Sequence, residues 1–294
     1  MPDNKPCIFG EVLFDMFPDG NRVLGGAPFN VAWHLQAFGV QPVFVSCVGN
    51  DESGKKIRDE MQRWGMNQNH LQTDDHHPTG KVQIKFKDDE PQYDIVENCA
   101  YDFITPAKIS ANCGLLYHGS LAIRNPVSAK ALGNIKKQQQ GKIFIDVNLR
   151  TPWWKKETLL HEIHSAHWVK LNEDELYTLQ SDSRSLEEDA RRFLETYKLD
   201  GLVVTLGAKG ALAITSNSNP IRVNPETTTN IVDSVGAGDA FASVLILGIL
   251  KDWSLQSTLE RAQIFASKIV GQQGATVQDM NFYQSLIDDW HLKS

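Results

Sequence analysis

A short glycine-rich turn late in the chain has the residues best suited to do chemistry. Gly236, Ala237 and Gly238 are followed at once by Asp239 and by an apolar run that predicts a helix. The start of a helix offers free backbone N–H groups and the positive end of the dipole to an anion such as phosphate. Glycine lets such a ligand approach the backbone closely. Asp239 could then act as a base, although an acid in the first turn also simply complements the dipole.

Three other patterns resemble known motifs and fail at a residue that the chemistry requires. Residues 49–56 nearly match the phosphate-binding GxxxxGK[ST] loop, but Lys56 replaces the hydroxyl that would bind magnesium. The glycine turn begins a dinucleotide-binding GxGxxG, but Phe241 occupies the third glycine position. Three-residue spacings separate His161, His164 and His167, whereas a metalloprotease helix carries its two histidines four residues apart. We therefore expect no dinucleotide site and interpret the histidines as exposed helix residues.

Composition excludes several classes of protein. The chain has 294 residues with 29 basic and 36 acidic side chains, a net charge of −7 and no basic run, which disfavours nucleic-acid binding. Its longest apolar stretch, residues 240–250, is well short of the roughly 20 residues that span a bilayer. The four cysteines form no CxxC pair and are expected to be free, mostly buried thiols. We expect a cytoplasmic protein that contacts neither nucleic acid nor membrane.

Apolar runs and helical patterns alternate along most of the chain. Strands are predicted at residues 7–12, 42–48, 115–119, 142–147, 168–171 and 202–206. Helices are predicted at residues 28–38, 52–64, 127–139, 186–198, 236–250 and 255–270. Alternating strands and helices indicate an α/β fold with a parallel sheet covered on both faces.

One segment, residues 80–96, interrupts this alternation. Val82, Ile84 and Phe86 alternate with polar residues, and residues 88–91 read as a turn before the alternation resumes. This pattern predicts a hairpin with one polar face. Such a hairpin would form a small accessory sheet, serving as a lid or as an oligomer contact.

Several motifs, taken in order, resemble the ribokinase/PfkB family of sugar kinases. The family's DTxGAGD signature reads DSVGAGD at residues 233–239, and a glycine pair followed by asparagine lies at residues 25–30. The remaining matches are VGNDESG at 48–54, NEDE at 172–175, TLGAKG at 205–210 and glycine-alanine at 274–275. The resemblance implies a ribokinase-like three-layer sandwich with a central, mainly parallel sheet. It also implies one kinase domain over residues 1–294, with a β lid formed mainly by about 79–103 and part of about 12–24.

The resemblance assigns the glycine turn to phosphoryl transfer. It makes Asp239 the general base for the acceptor hydroxyl, and the backbone of Gly236, Ala237 and Gly238 the anion hole. ATP would be the co-substrate, and its phosphates would hold Mg²⁺ with Glu175 reaching the metal through water. Asp233 matches a monovalent-cation position, where K⁺ would steady the loop; a buried acid bound to turn amides is the alternative.

The resemblance also places a nucleotide site. Its candidate residues are Asn172, Thr205, Gly207, Lys209, Gly210 and Gln263. Asn172 could equally be a helix cap, and Lys209 could be solvated. Gln263 stands where the family often has an asparagine on the adenine side; it is a nucleotide-site candidate, and the sequence leaves open whether it contacts adenine.

Candidate sugar-binding residues come from separate segments. They are Asp15, Gly25, Gly26, Asn30 and Arg150. A carboxylate such as Asp15 suits a vicinal diol because it accepts two hydroxyl hydrogen bonds at once. Residues 146–154 carry a DxNxR…W pattern similar to the fructokinase and 2-keto-3-deoxygluconate kinase branch; a structural ion pair is the alternative for Arg150.

The resemblance therefore implies an ATP-dependent sugar kinase that phosphorylates a primary hydroxyl, with fructose and its 6-hydroxyl favoured. A 2-keto-3-deoxygluconate kinase is the alternative within the family, and its carboxylate substrate predicts an added cationic contact from the lid or its flanks. A catalytically silent sugar- or nucleotide-binding regulator is the alternative of another class. Asp239 and the intact glycine turn argue against that regulator. The lid could also mediate a homodimer.

Overall fold

The computed structural model describes residues 5–87, 90–107, 113–180, 185–225 and 231–292. Within these ranges the chain forms two sheets of different size, one of nine strands and one of four. The centre of the predicted hairpin turn, residues 88 and 89, lies outside the described residues, as do the side chains of residues 86–91.

The large sheet is almost entirely parallel. Its order is β13-β12-β11-β10-β9-β8-β1-β4-β5, and only β12 runs antiparallel to its neighbours. The strands are β1 (Pro6–Phe9), β4 (Val43–Gly49), β5 (Leu71–Asp74), β8 (Leu115–His118), β9 (Lys142–Asp146), β10 (Trp168–Asn172), β11 (Gly201–Thr205), β12 (Ala211–Thr215) and β13 (Ile221–Val223). Most of these strands are continuously buried, as expected for a sheet covered on both faces.

Helices cover both faces of this sheet, which confirms the predicted three-layer α/β architecture. They are α1 (Ala27–Ala37), α2 (Glu52–Arg63), α3 (Pro126–Gln138), α4 (Lys156–Ile163), α5 (Glu173–Leu179), α6 (Leu186–Tyr197), α7 (Ala237–Leu250), α8 (Leu255–Val270) and α9 (Met280–Asp289). Successive residues of β1 point to opposite faces, so Ile8 joins the core beneath α1, α7 and α8, whereas Phe9 joins the core beneath α3, α4 and α6.

The small sheet is built from the segments where an accessory sheet was predicted. Its order is β3-β2-β6-β7, with strands β2 (Leu13–Met16), β3 (Arg22–Gly25), β6 (Gly80–Lys87) and β7 (Glu90–Ile95). The predicted first strand, residues 7–12, is too long. It ends at Phe9 because the next paired residues, from Leu13 on, bond to β3 and β6 instead.

The three histidines do not share one exposed helix surface. His161 lies in α4 and His164 directly follows it, but His167 lies outside the helix and is half-buried. Its Nδ1 accepts a hydrogen bond from the backbone N–H of Ile143 at 3.1 Å, and this bond to β9 holds the imidazole ring. The prediction of exposed helix residues is therefore wrong for His167.

Two predictions from composition concern the chain as a whole. All four cysteines are buried, and none of them is in a disulfide. Among the helices of the described ranges, none is both long and apolar enough to cross a bilayer.

Candidate active site

A cavity of about 470 Å³ opens between the carboxyl ends of the large-sheet strands and the small sheet. Ligands of open α/β sheets bind at this edge because the strand ends and the following loops converge there. Its walls contain all five predicted sugar-binding residues: Asp15, Gly25, Gly26, Asn30 and Arg150. Asp239 and two residues of the glycine turn, Gly236 and Gly238, line the same cavity.

A second cavity of about 490 Å³ adjoins the first. Four of the predicted nucleotide residues line it: Thr205, Gly207, Gly210 and Gln263. Ala237 of the glycine turn also lines it, and three residues, Thr205, Ser234 and Gly238, line both cavities. Two ligands bound in these cavities would therefore meet at the glycine turn.

Two predicted nucleotide residues lie elsewhere. Lys209 is exposed and lines neither cavity, which is the position expected of a solvated lysine. Asn172 lines the first cavity rather than the second, and it caps α5 because its Oδ1 accepts the N–H of Glu175 at 2.8 Å. Asn172 is therefore the N-cap of α5, which was the alternative to a nucleotide contact.

Tertiary contacts hold the glycine turn in a fixed shape. Gly236 has φ of 83°, a left-handed conformation that favours glycine, and a Cβ there would come within 2.4 Å of the Cβ of Ala275. Asp233 joins the two segments, because its Oδ1 accepts the N–H of Val235 at 2.9 Å and its Oδ2 accepts that of Gly274 at 3.1 Å. The first N–H groups of α7, which have no partner inside the helix, are thereby kept at the junction of the cavities.

Asp239, the predicted general base, has one side-chain hydrogen bond and a raised pKa. The Asn30 side chain donates from Nδ2 to its Oδ2 at 2.7 Å. Burial, with a smaller contribution from the charge of Asp146, raises the pKa of Asp239 to about 6, against the opposing effects of Asn30, Lys170 and Arg150. A carboxylate with this pKa is ionised at neutral pH and is more basic than a solvated one, which suits proton transfer.

A buried ion pair beside the turn was missed by the sequence analysis. Lys170 donates from Nζ to both carboxylate oxygens of Asp146, at 2.8 and 2.9 Å. Burial opposes the lysine charge, but the Asp146 carboxylate outweighs it and raises the pKa of Lys170. Its Nζ is 3.6 Å from the position that a Cβ on Gly238 would occupy. The sequence did contain a signal for this ion pair: Lys170 stands within the apolar strand β10, and a buried lysine is nearly always paired with an acid.

Acidic groups crowd the first cavity. Burial raises the pKa of Asp15 to about 6 and that of Glu11, another residue the sequence analysis did not assign, to about 7. The positive charge of Arg150 opposes the rise in pKa at all three acids, Glu11, Asp15 and Asp239. Arg150 has no ion-pair partner within 4 Å among the described residues, so its guanidinium is open to a ligand.

The raised pKa of Glu11 predicts a pH-dependent stability difference between the protein and its Glu11→Gln variant. Since the pKa in the folded state, about 7, exceeds the ordinary 4.5, protonated Glu11 stabilises the fold, and this contribution is lost as pH rises through 7. We expect equal stability near pH 4.5 and an advantage for the variant at pH 8 approaching roughly 3 kcal/mol. Urea unfolding at both pH values measures this, and a pH-independent difference would contradict it.

Glu175, the predicted water-mediated magnesium ligand, lines the first cavity. It is only 8% exposed, and its two carboxylate oxygens accept the N–H groups of Leu149 at 2.7 Å and Asn172 at 2.8 Å. In the described part of the chain, no three His, Cys, Asp or Glu side chains are grouped closely enough to cage a metal. The remaining lone pairs of Glu175 fit a water-mediated contact to Mg²⁺, which keeps several waters and prefers phosphate ligands.

The chain is similar to known carbohydrate kinases. The profile of the pfkB family carbohydrate kinases matches residues 16–280. The chain is 28% identical over 295 residues to fructokinase of Salmonella typhimurium, covering 92% of this chain and 94% of that protein. It is 26% identical over 259 residues to aminoimidazole riboside kinase of the same species, covering 83% of this chain and 80% of that one.

A solved structure shows the same architecture. Fructokinase from Vibrio cholerae, crystallised with fructose, ADP and calcium ion, superposes with a TM-score of 0.78 and 27% sequence identity over 96% of this chain and 99% of that one. The chain therefore belongs to the pfkB family of carbohydrate kinases and is a sugar kinase with the ribokinase-like fold.

Proposed function

We propose that this sugar kinase transfers the γ-phosphate of ATP to the 6-hydroxyl of fructose. The observation that carries the proposal is the meeting of two cavities at the glycine turn, with Asp239 on the side of the predicted sugar residues. The fructokinases among its relatives support fructose as the acceptor.

In the proposed mechanism, Asp239 accepts the proton of the sugar hydroxyl. The hydroxyl oxygen forms a bond to the γ-phosphorus of ATP as the bond from that phosphorus to ADP breaks. Asn30 orients the carboxylate through its 2.7 Å hydrogen bond. The backbone N–H groups at the start of α7 stabilise charge on the transferred group, as preorganised donors do. Lys170 adds positive charge beside Gly238, and Asp146 fixes its position.

Mg²⁺ would neutralise charge on the ATP phosphates, with Glu175 holding one of its waters. Asp233 has both carboxylate oxygens engaged by backbone N–H groups, so its side chain already steadies the loop. We propose K⁺ there only as an addition to this role, through lone pairs that the N–H groups leave free.

The small sheet is proposed to act as the lid over the sugar. Its lining residues are Leu13, Val23, Leu24, Val82, Tyr93 and Ile95, together with Asp15 and Gly25. Closing such a wall would exclude water and so limit ATP hydrolysis. We retain a homodimer through this sheet, and a cytoplasmic location, as predictions.

The charges of the cavity favour a neutral acceptor over 2-keto-3-deoxygluconate. A carboxylate substrate predicts a cation from the small sheet or its flanks, but the described residues by which that sheet lines the cavity include none. Lys170 is already paired with Asp146, so among the described residues that line the cavity Arg150 is the one cation without an acidic partner. Four further acids line the same cavity: Glu11, Asp15, Glu175 and Asp239. A substrate carboxylate in this space would be repelled by the acids that are ionised.

The test is ADP release with Mg-ATP and each of four acceptors: fructose, ribose, aminoimidazole riboside and 2-keto-3-deoxygluconate. We expect the highest kcat/KM with fructose and at least tenfold less with the carboxylated sugar, because its charge is not matched. Reactions without acceptor measure background hydrolysis. A higher kcat/KM with another neutral acceptor would overturn the proposal that fructose is the substrate. No turnover with any of the four acceptors would favour a catalytically silent binding protein.

A further inference from the structure

Glu11 is a buried carboxylate whose role remains unassigned. It follows β1 and precedes β2, so it lies where the chain passes from the large sheet to the small one. Only 3% of the residue is exposed, yet it lines the first cavity. Its Oε2 has no hydrogen-bond partner. Buried polar atoms are nearly always hydrogen-bonded. We therefore expect this oxygen to accept a hydrogen bond from a group outside the described chain, such as a bound ligand.

Two arginines act on the charge of Glu11, Arg150 and, less strongly, Arg124, but neither donates a hydrogen bond to its Oε2. Arg124 donates to both carboxylate oxygens of Asp102 at 2.8 Å and to the hydroxyl of Tyr101 at 2.9 Å, while its Nη1 has no partner. Glu11 lines the first cavity, so a ligand bound there can supply the missing hydrogen bond.

We propose that Glu11 is an acceptor-binding residue that selects neutral, hydroxyl-rich substrates. At pH 8, where Glu11 is mostly ionised, its Oε2 accepts a hydrogen bond from a sugar hydroxyl, because an ionised carboxylate can only accept and a hydroxyl can donate. Asp15 and Glu11 together present acceptors to the sugar. The proposal rests on the proposed sugar-kinase function and adds a contact to it.

The same charge explains rejection of anionic acceptors. Removing the Glu11 carboxylate leaves three acids in the cavity besides Asp146, instead of four, so an acceptor that carries its own carboxylate would meet less repulsion and bind better. This effect on choice between substrates separates a direct contact from a purely structural role, which would weaken all acceptors alike.

The test compares the wild type with Glu11→Gln, which keeps the size of the side chain and removes its charge. We expect KM for fructose to rise about ten- to a hundredfold, the loss typical of a hydrogen bond to a charged group, with kcat and KM for ATP within about threefold. The ratio of kcat/KM for 2-keto-3-deoxygluconate to that for fructose should rise at least tenfold. All of these assays are run at pH 8, where Glu11 is mostly ionised. Glu195→Gln, at an exposed acid of α6 that lines neither cavity, should change none of these values.

An unchanged fructose KM in Glu11→Gln would overturn the proposal, as would an equal rise of KM for fructose and ATP. Failure of the wild type to phosphorylate any sugar is a different result, because it removes the proposed function. Fructose binding by calorimetry then decides the role of Glu11: binding lost in Glu11→Gln but kept in Glu195→Gln supports the contact, and equal binding or no binding overturns it.

Discussion

Replacing Asp239 with asparagine should lower kcat by about 10²–10⁴-fold, the contribution of a positioned general base. Asparagine keeps the shape of the side chain and can still accept the hydrogen bond from Asn30, but it cannot take the proton of the acceptor hydroxyl. The fold should remain intact, because burial already disfavours the Asp239 charge. Steady-state assays with fructose and Mg-ATP, together with thermal unfolding, measure both effects.

The pH dependence of the wild type provides a second measure of this role. The ionised carboxylate of Asp239 is the active form and its pKa is about 6. We therefore expect kcat/KM to begin to fall below pH 7, where Glu11 becomes protonated, and to fall more steeply below pH 6, where Asp239 and Asp15 become protonated. Asp289→Asn, at an exposed acid ending α9, is the matched control and should match the wild type. More than a tenth of the wild-type kcat in Asp239→Asn would exclude Asp239 as the base.

Gly236→Ala should lower kcat at least about 10²-fold, the loss that follows removal of one preorganised donor to a developing anion. The added Cβ would lie 2.4 Å from the Cβ and 2.5 Å from the Cα of Ala275, and φ of 83° is itself strained for alanine. The turn or the segment at Ala275 must move, and the N–H groups at the start of α7 move with it. Activity assays and the affinity for ATP, measured separately, show whether the turn or the whole nucleotide site is affected.

Gly133→Ala is the matched control for this substitution. Gly133 lies within α3, and a Cβ there would meet no heavy atom within 4 Å. Alanine should stabilise the helix by roughly 0.5–1 kcal/mol and leave kcat unchanged. A Gly236→Ala variant with wild-type kcat would show that the shape of the turn is not needed for transfer.

Local patterns in the chain predicted the layers of the fold and the glycine turn. Period-two and helical periodicities report which face of an element is buried, and that information is carried by neighbouring residues. The long apolar run after Asp239 therefore predicted α7, and the alternation at Val82 and Ile84 predicted β6. The end of β1 at Phe9 could not be predicted in this way, because pairing partners from distant segments decide where one sheet ends and the next begins.

Short segments and their order were sufficient to predict the family, the α/β alternation and the residues of the glycine turn. Only the tertiary structure paired Lys170 with Asp146 and left Glu11 unpartnered beside the cavity. It also placed Asn172 with the first cavity rather than the second. These features depend on which side chains from distant parts of the chain share one buried volume. There, burial and neighbouring charges set both partners and pKa values.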